Sequence, residues 1–374
     1  MMSRCGSWKV KVLFLQPQPC IRALKYASCL RQALGKSLFL CMGRLYRAPS
    51  ELYGFGDEFF DESVQLDPNK IDESIRNLVR MHDPDIIHSH NAPDFLTISA
   101  TEVIEDIPIV HDTHEALSLR ETGYYVTDGP EEVAKYGDYE KAANERADGR
   151  IYPSEGVRDH IRGRYDVDPD NDMVFHNYIS ESIFPQNISK KMSADDGRTH
   201  TVYIGTLSDQ RGDHYNLLEI FEKLADNGIH VHIYVAHENQ TYKELSDRNR
   251  FIHYHGHLDH IALFEELTRY DYGWLGLNEA RNKPHVDVAF PNKTLEYISC
   301  GLPILSFPHK TIKQFIEKHE VGLVFKDIAE LRQLLLEADI ETLRRNALRI
   351  RHEYTIERNI SRLIGFYKKI GNEV

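Results

Sequence analysis

An α/β fold of two successive, doubly wound parallel-sheet domains is predicted for this chain by three observations. Its 374 residues exceed what one ordinary core organises. Short apolar runs alternate with amphipathic stretches from one end to the other, as repeated βα units require. The alternation breaks once, at the polar and nearly aperiodic residues 185–199, and then restarts. A ligand crevice is expected where the strand carboxyl ends of the two domains meet.

The elements follow in order. Residues 9–15 read as a first strand, 21–34 as an amphipathic helix and 37–42 as a second strand. After an irregular aromatic stretch at 53–60, residues 71–81 read as a helix with Leu78 and Val79 inward. Strand 85–88, helix 95–103, strand 108–111, helix 131–147 and strand 150–152 continue the pattern, and another helix starts near Ser154. Beyond the linker come a strand at 201–205 and a helix at 215–227. Strands at 229–235, 250–253, 272–275, 303–305 and 321–325 follow, then helices near 328–337, 340–352 and 355–369. The predicted domains are residues 1–185 and 198–354.

Composition narrows the function. Hydrophobic residues at 41% and charged residues at 28% describe a soluble globular chain, and a formal charge of −13 argues against a nucleic-acid-binding surface. No run approaches the roughly 18 apolar residues of a membrane span. The apolar stretch at residues 12–15 is too short for a signal peptide and carries no cleavage signature. Cys5, Cys20, Cys29, Cys41 and Cys300 are dispersed without Cys-x-x-Cys spacing, which suits a reducing, cytoplasmic setting.

Residues 290–305 carry the most chemistry. Pro291 fixes φ before a short helix, Asn292 is placed to cap it, Gly301 stops it, and 303–307 run apolar as a buried parallel strand. A helix N-terminus beside a sheet's carboxyl end favours an anion, and Lys293 adds a full positive charge. Glu296, one turn on, would repel phosphate but suits ribose hydroxyls. Together they point to a nucleoside diphosphate.

Several further segments, in order, complete a pattern. They are Asp83-Pro-Asp-Ile-Ile-His-Ser-His90, Pro108-Ile-Val-His-Asp-Thr-His-Glu115, and Tyr152-Pro-Ser154 with Val174-Phe-His-Asn177 and Phe184. Tyr203-Ile-Gly-Thr-Leu-Ser-Asp-Gln-Arg-Gly212, the 291–303 segment and residues 360–370, with Phe366-Tyr367, follow. Over nearly its whole length the chain resembles the family 4 glycosyltransferases of the GT-B fold. The resemblance implies two Rossmann-like domains facing an interdomain cleft, with a C-terminal crossover helix (355–374) packed back on the first domain. It implies a retaining transfer of sugar from a nucleotide-activated donor to a hydroxyl of a glycan, glycolipid or lipid-linked saccharide. The second domain would hold the donor nucleotide through Gly205, Thr206, Arg211, Asn292, Lys293 and Glu296. His114 would meet the donor sugar or reaction centre, with Asp112 beside it. The donor phosphate itself would help deprotonate the acceptor, so no protein nucleophile, cofactor or metal is required.

Two departures from the family pattern stand out. Val288 occupies a position where a sugar-contacting carboxylate is usual, and Thr206 one where arginine is common. In place of a glycine-rich loop, residues 16–25 bring Arg22 and Lys25 to a first helix turn, as binders of an acidic or phosphorylated acceptor or as solvated charge. With Arg31 they give that helix a modest basic face, which leaves peripheral membrane association open. Arg211 reads alternatively as a solvated charge, Lys293 as an exposed first-turn lysine and His114 as a buried, hydrogen-bonded histidine. His88 and His90 project to one side of a strand end, but no Asp-x-Asp motif accompanies them. His253, His255, His257 and His260 fit no standard zinc spacing and read as a polar strand-to-loop stretch. Rival functions are a sugar-nucleotide epimerase and an inactive nucleotide-sugar-binding subunit. The nucleotide base, sugar and acceptor are not legible.

Overall fold

All strand pairs in the computed structural model, which describes residues 9–91, 94–124 and 127–371, are parallel, so each connection must cross over one sheet face. The chain divides into two units. The first comprises residues through Leu119, Gly123–His176 and the chain from Ile356; the second comprises Arg120–Thr122 and Asn177–Thr355.

Unit 1 contains β1 (Val10–Gln16), β2 (Leu38–Arg44), β3 (Glu62–Gln65), β4 (Ile86–His90), β5 (Ile109–Asp112), β6 (Gly149–Tyr152) and β7 (Asp172–Val174). Their order in the sheet is β3-β2-β1-β4-β5-β6-β7. The winding reverses between β1 and β4, which opens a crevice at their carboxyl ends. Leu13, Leu15, Ile75, Leu78, Ile87 and Leu96 are fully or nearly fully buried on one face. The last helix, Ile356–Ile370, packs against the first, Ile21–Leu34. It also lies on Gly149, where a Cβ would come within 2.9 Å of the Ile370 side chain.

Unit 2 contains β8 (His200–Gly205), β9 (His230–Val235), β10 (Ile252–Gly256), β11 (Tyr272–Trp274), β12 (Ile304–Ser306) and β13 (Gly322–Val324). The order β10-β9-β8-β11-β12-β13 repeats the winding, with its switch between β8 and β11. Val231, Ile233, Phe221, Trp274 and Leu305 anchor its core.

Differences from the sequence reading have local causes. β3 and β7 are edge strands, the first polar and largely exposed and the second only three residues long, so neither shows the apolar run of a central strand. The helix expected from residue 215 begins at Leu218, because the Asp213 carboxylate accepts from the Tyr215 N–H at 2.7 Å and holds a turn instead. The polar stretch at 185–199 lies within unit 2, and the division falls at His176/Asn177. That stretch is tied down by its backbone. The Ser189 N–H donates to Thr268 Oγ1 and the Met192 N–H to the Arg269 carbonyl, so the stretch is fastened to the residues that follow helix His260–Leu267.

Candidate functional site

In unit 2, Gly205 ends β8 with φ +116°, a conformation that strains any other residue. A Cβ there would also sit 3.6 Å from the Lys293 ammonium. Lys293 itself is only 7% exposed. Its Nζ lies 3.9 Å above the Tyr203 ring and 5.5 Å from that of Tyr215, and it makes no hydrogen bond. Burial pushes the ammonium down to about 7, against a weaker upward pull from Glu296. The lysine therefore stands as a desolvated cation on an aromatic seat, beside a glycine turn and one turn from Glu296. It is not the exposed first-turn lysine of the alternative reading.

Helix Asn292–Ser299 presents this group, and Tyr297 fixes the helix in place. The Tyr297 hydroxyl lies 3.1 Å from the carbonyls of Val202 and Trp274 and 3.2 Å from the Ile204 N–H, so it bridges β8 and β11. Gly273 makes room for it: a Cβ there would lie 2.4 Å from the Tyr297 ring. Gly273→Ala is therefore expected to cost about 1–3 kcal/mol, read as a lower urea midpoint.

The capping assigned to Asn292 needs correction. The helix begins at Asn292, Pro291 occupies the cap position, and no side chain bonds the first-turn N–H groups. Proline has no side-chain acceptor, and Asn292, already one residue inside the helix, is exposed. Gly301 does stop the helix, with φ +65°. Thr206 and Arg211 lie exposed in the loop after β8, whose backbone closes through Ser208 N–H to the Tyr215 carbonyl. Asp287, next to Val288, turns its carboxylate to Lys283 and the Lys310 N–H.

In unit 1 the strand ends of β1, β4 and β5 carry a second constellation. Asp112 is fully buried. Arg22 Nε donates to both its oxygens at 3.1 and 3.0 Å, and the Tyr26 hydroxyl donates to it at 2.9 Å. His88 Nε2 lies 3.3 Å away, while its Nδ1 is 2.6 Å from the Tyr367 hydroxyl. Burial would raise the Asp112 carboxyl, but Arg22 and then His88 hold it well below the usual range. Arg22 is thus not a solvent-facing charge or a ready acceptor ligand. Its guanidinium is committed to Asp112 and the Phe175 carbonyl, because a carboxylate buried on a neighbouring strand must be neutralised. Lys25 sits half-buried one turn on.

His114 is held by its own backbone. Its N–H donates to Asn91 Oδ1 at 2.6 Å, and its Nε2 lies 2.8 Å from His90 Nδ1 and 3.9 Å from Cys20 Sγ. Burial lowers it to about 4, so at neutral pH it is an uncharged imidazole. It can exchange a hydrogen bond with a hydroxyl; it does not carry positive charge.

Comparison with known proteins bears on the family and the fold. Residues 59–182 match the family described as Glycosyltransferase Family 4. Residues 216–356 match the family described as Glucosyltransferase 3-like, C-terminal domain. The chain is a glycosyltransferase, similar to family 4 through its N-terminal part. No curated protein matches it by sequence. Among solved structures it is similar to a sucrose-phosphate synthase of Thermosynechococcus elongatus, at 12% identity and a TM-score of 0.74 over 98% of this chain and 100% of that one. HepE of Anabaena, in complex with UDP-glucose, is similar at 16% identity and a TM-score of 0.68, over 95% and 99%. A glycosyltransferase of Rickettsia africae is similar at 15% and 0.67, over 97% and 98%. At such identities these likenesses bear on the fold, which is that of the GT-B enzymes.

Within this glycosyltransferase, sequence reasoning missed Thr294, whose buried Oγ1 has no hydrogen-bond partner beside Lys293. It also missed the seat formed by Tyr203 and Tyr215. No linear signal marks either, since both depend on packing between elements. Among the described residues, groups with metal-ligand geometry are Cys20/His90/His114, His88/His90/Asp112, Asp196/His200/His230 and Glu279/Asp287/His309. Arg22 already neutralises the second, and the Lys283 ammonium lies against both carboxylates of the last. His257 and His260 join none of them. Among the described residues no helix of the glycosyltransferase is long and apolar enough to cross a membrane.

Proposed function

We propose that this glycosyltransferase is a retaining, metal-independent enzyme that moves a hexosyl group from a nucleoside diphosphate sugar to a hydroxyl acceptor. The carrying observation is Lys293, a buried ammonium without a hydrogen-bond partner at the Gly205 turn. A cation held out of water on aromatic rings is matched by a diphosphate, which would supply the missing partners. Glu296 would take the ribose hydroxyls, Arg211 and the Thr206 backbone the outer phosphate, and the Asn292 and Lys293 N–H groups the remaining charge. HepE of Anabaena is described with UDP-glucose, with UDP and with UDP and glucose, so uridine is the first base to test.

The transfer would proceed on one face of the sugar. The bond from the anomeric carbon to the leaving phosphate oxygen breaks, and its electron pair stays on the diphosphate. The acceptor oxygen bonds to the same face while its proton passes to a phosphate oxygen. Lys293 and the helix N-terminus stabilise the charge gathering on the leaving group, which supplies what a metal provides elsewhere. Neutral His114 would hold a hydroxyl of the reacting sugar or acceptor by hydrogen bond. Asp112 positions its surroundings through Arg22 and His88.

A second reading is favoured by Val288: a nucleotide-sugar-binding subunit that does not transfer. Calorimetry with UDP, GDP and ADP, followed by single-turnover assays with the matching sugars, separates the two. Expected is micromolar binding of one nucleotide and release of that nucleotide from its sugar form, faster with a glycan or lipid-linked acceptor. Binding without any turnover across the acceptor panel would establish the second reading. An acceptor embedded in a membrane would place the enzyme at the cytoplasmic face as a peripheral protein, testable by vesicle flotation.

A further inference from the structure

Five histidines converge on one face of the unit 2 sheet, away from the residues of the donor site. His200 opens β8, His230 and His232 lie on β9, and His253 and His255 lie on β10. The register sets His200 beside His230 and His232 beside His253, and strand alternation sends all five side chains to one side. Val231, Ile233 and Ile252 point the other way, into the core. The rings stack in sequence, with centroids 4.4 Å apart for His200 and His230, 5.1 Å for His230 and His253, and 4.5 Å for His232 and His253.

At the start of this array stands one carboxylate. Asp196 Oδ2 lies 3.2 Å from His200 Nε2 and 3.3 Å from His230 Nε2, and the Arg198 N–H donates to Oδ1 at 2.9 Å. A tetrahedral zinc with ligands at about 2.0–2.1 Å has ligand-to-ligand edges of about 3.3–3.4 Å. The spacing of these atoms therefore fits a shared ion. All three ligand atoms lie within 4.8 Å of one another.

We infer that Asp196, His200 and His230 form a binding site for a divalent transition-metal ion of the zinc class, at the amino ends of β8 and β9. The hydrogen bonds behind the ligands support the assignment. A metal on Nε2 requires each imidazole to carry its proton on Nδ1 and to donate it onward. His200 Nδ1 has His232 Nε2 at 2.9 Å, and His230 Nδ1 has His253 Nε2 at 2.8 Å. His232 Nδ1 in turn has His255 Nε2 at 3.0 Å, so one proton order satisfies the whole array. Water would take the fourth position. The opposite order, with both Nε2–H groups donating to Asp196, also satisfies the carboxylate, and it excludes the metal.

The site is structural. Gly205, with the Lys293 ammonium beside it, marks the carboxyl end of β8, while His200 begins that strand. An ion here would pin the turn Ser193–Asp196 to β8 and β9 without touching the transfer reaction.

The full chain, stripped with chelator, is titrated with Zn²⁺ by calorimetry and with Co²⁺ by visible absorption. Expected are one tight equivalent, a tetrahedral Co²⁺ spectrum, and a thermal midpoint raised by Zn²⁺. Asp196→Asn and His230→Gln should each weaken the affinity at least 10-fold and abolish the spectrum. Asp196 is surface-exposed, so its variant tests the site even if the histidine variant misfolds. Glu279→Gln, at another candidate group, should leave the affinity unchanged. Absence of saturable binding, equal affinity in both site variants, or loss of the metal in His114→Gln instead would overturn the assignment.

Discussion

Lys293→Met is expected to lower kcat/KM by about 10²–10³-fold, the loss typical of removing one preorganised donor to developing negative charge. The same variant should be more stable than the wild type without ligand. A unit of pKa displacement corresponds to about 1.4 kcal/mol, so a lysine moved from 10.5 to about 7 by burial carries a penalty of several kcal/mol. The sign fixes the pH behaviour. Between about pH 7 and 10.5 the unfolded lysine holds a proton that the folded one has lost, so wild-type stability rises with pH across that window. Urea denaturation at pH 7 and pH 9.5 should show the advantage of the methionine variant shrinking. Nucleotide binding should restore the proton. At pH 8 a terminal phosphate, with its last pKa near about 6, is fully ionised, so any uptake comes from the protein. Calorimetry in buffers of different ionisation enthalpy should therefore find proton uptake in the wild type and none in Lys293→Met. Equal uptake in both would remove Lys293 from the diphosphate site.

Asp112→Asn is expected to be the most damaging single change in unit 1. It leaves the Arg22 guanidinium, 7% exposed, without its carboxylate. Breaking a buried pair in this way costs about 3–5 kcal/mol. Arg22→Met combined with Asp112→Asn should recover a large part of that loss, because no uncompensated charge remains. The carboxyl is held below its ordinary value of 3.8, so the stability it contributes is complete above that pH and is lost as pH falls through the folded value. The wild type should therefore lose stability below about pH 4 more steeply than the asparagine variant. Equal melting temperatures for the single and double variants would mean that Arg22 is neutralised by other groups.

Central strands were legible in the sequence because burial on both faces writes a continuous apolar run, as in residues 12–15 and 303–305. Edge strands were not, since Glu62–Gln65 needs only its backbone to pair with β2. The helix Asn292–Ser299 could be read from Pro291, Lys293 and Gly301, whose roles are local. The state of Lys293 could not, because Tyr203 lies ninety positions earlier and closes over it only in the folded unit. Arg22 misled for the same reason: its position on a first helix turn suggests solvent, while Asp112 arrives from another strand. The histidines at 253–260 looked like a local cluster. Yet His253 and His255 find their partners in His230 and His232 on β9, and spacing along one strand cannot reveal that.

The last helix also bears on the order in which the protein matures. Unit 2 is almost wholly encoded between Asn177 and Thr355, whereas unit 1 needs residues from Ile356 onward to cover Ile21–Leu34 and Gly149. The Tyr367 hydroxyl then closes on His88, and through it on Asp112. On the ribosome, where domains ordinarily form from the N-terminus at about 5–20 residues per second, the unit begun first is thus finished last. Its buried charges wait for Tyr367, and a nascent chain released before that residue carries the whole of the unit 2 segment while unit 1 still lacks its covering helix.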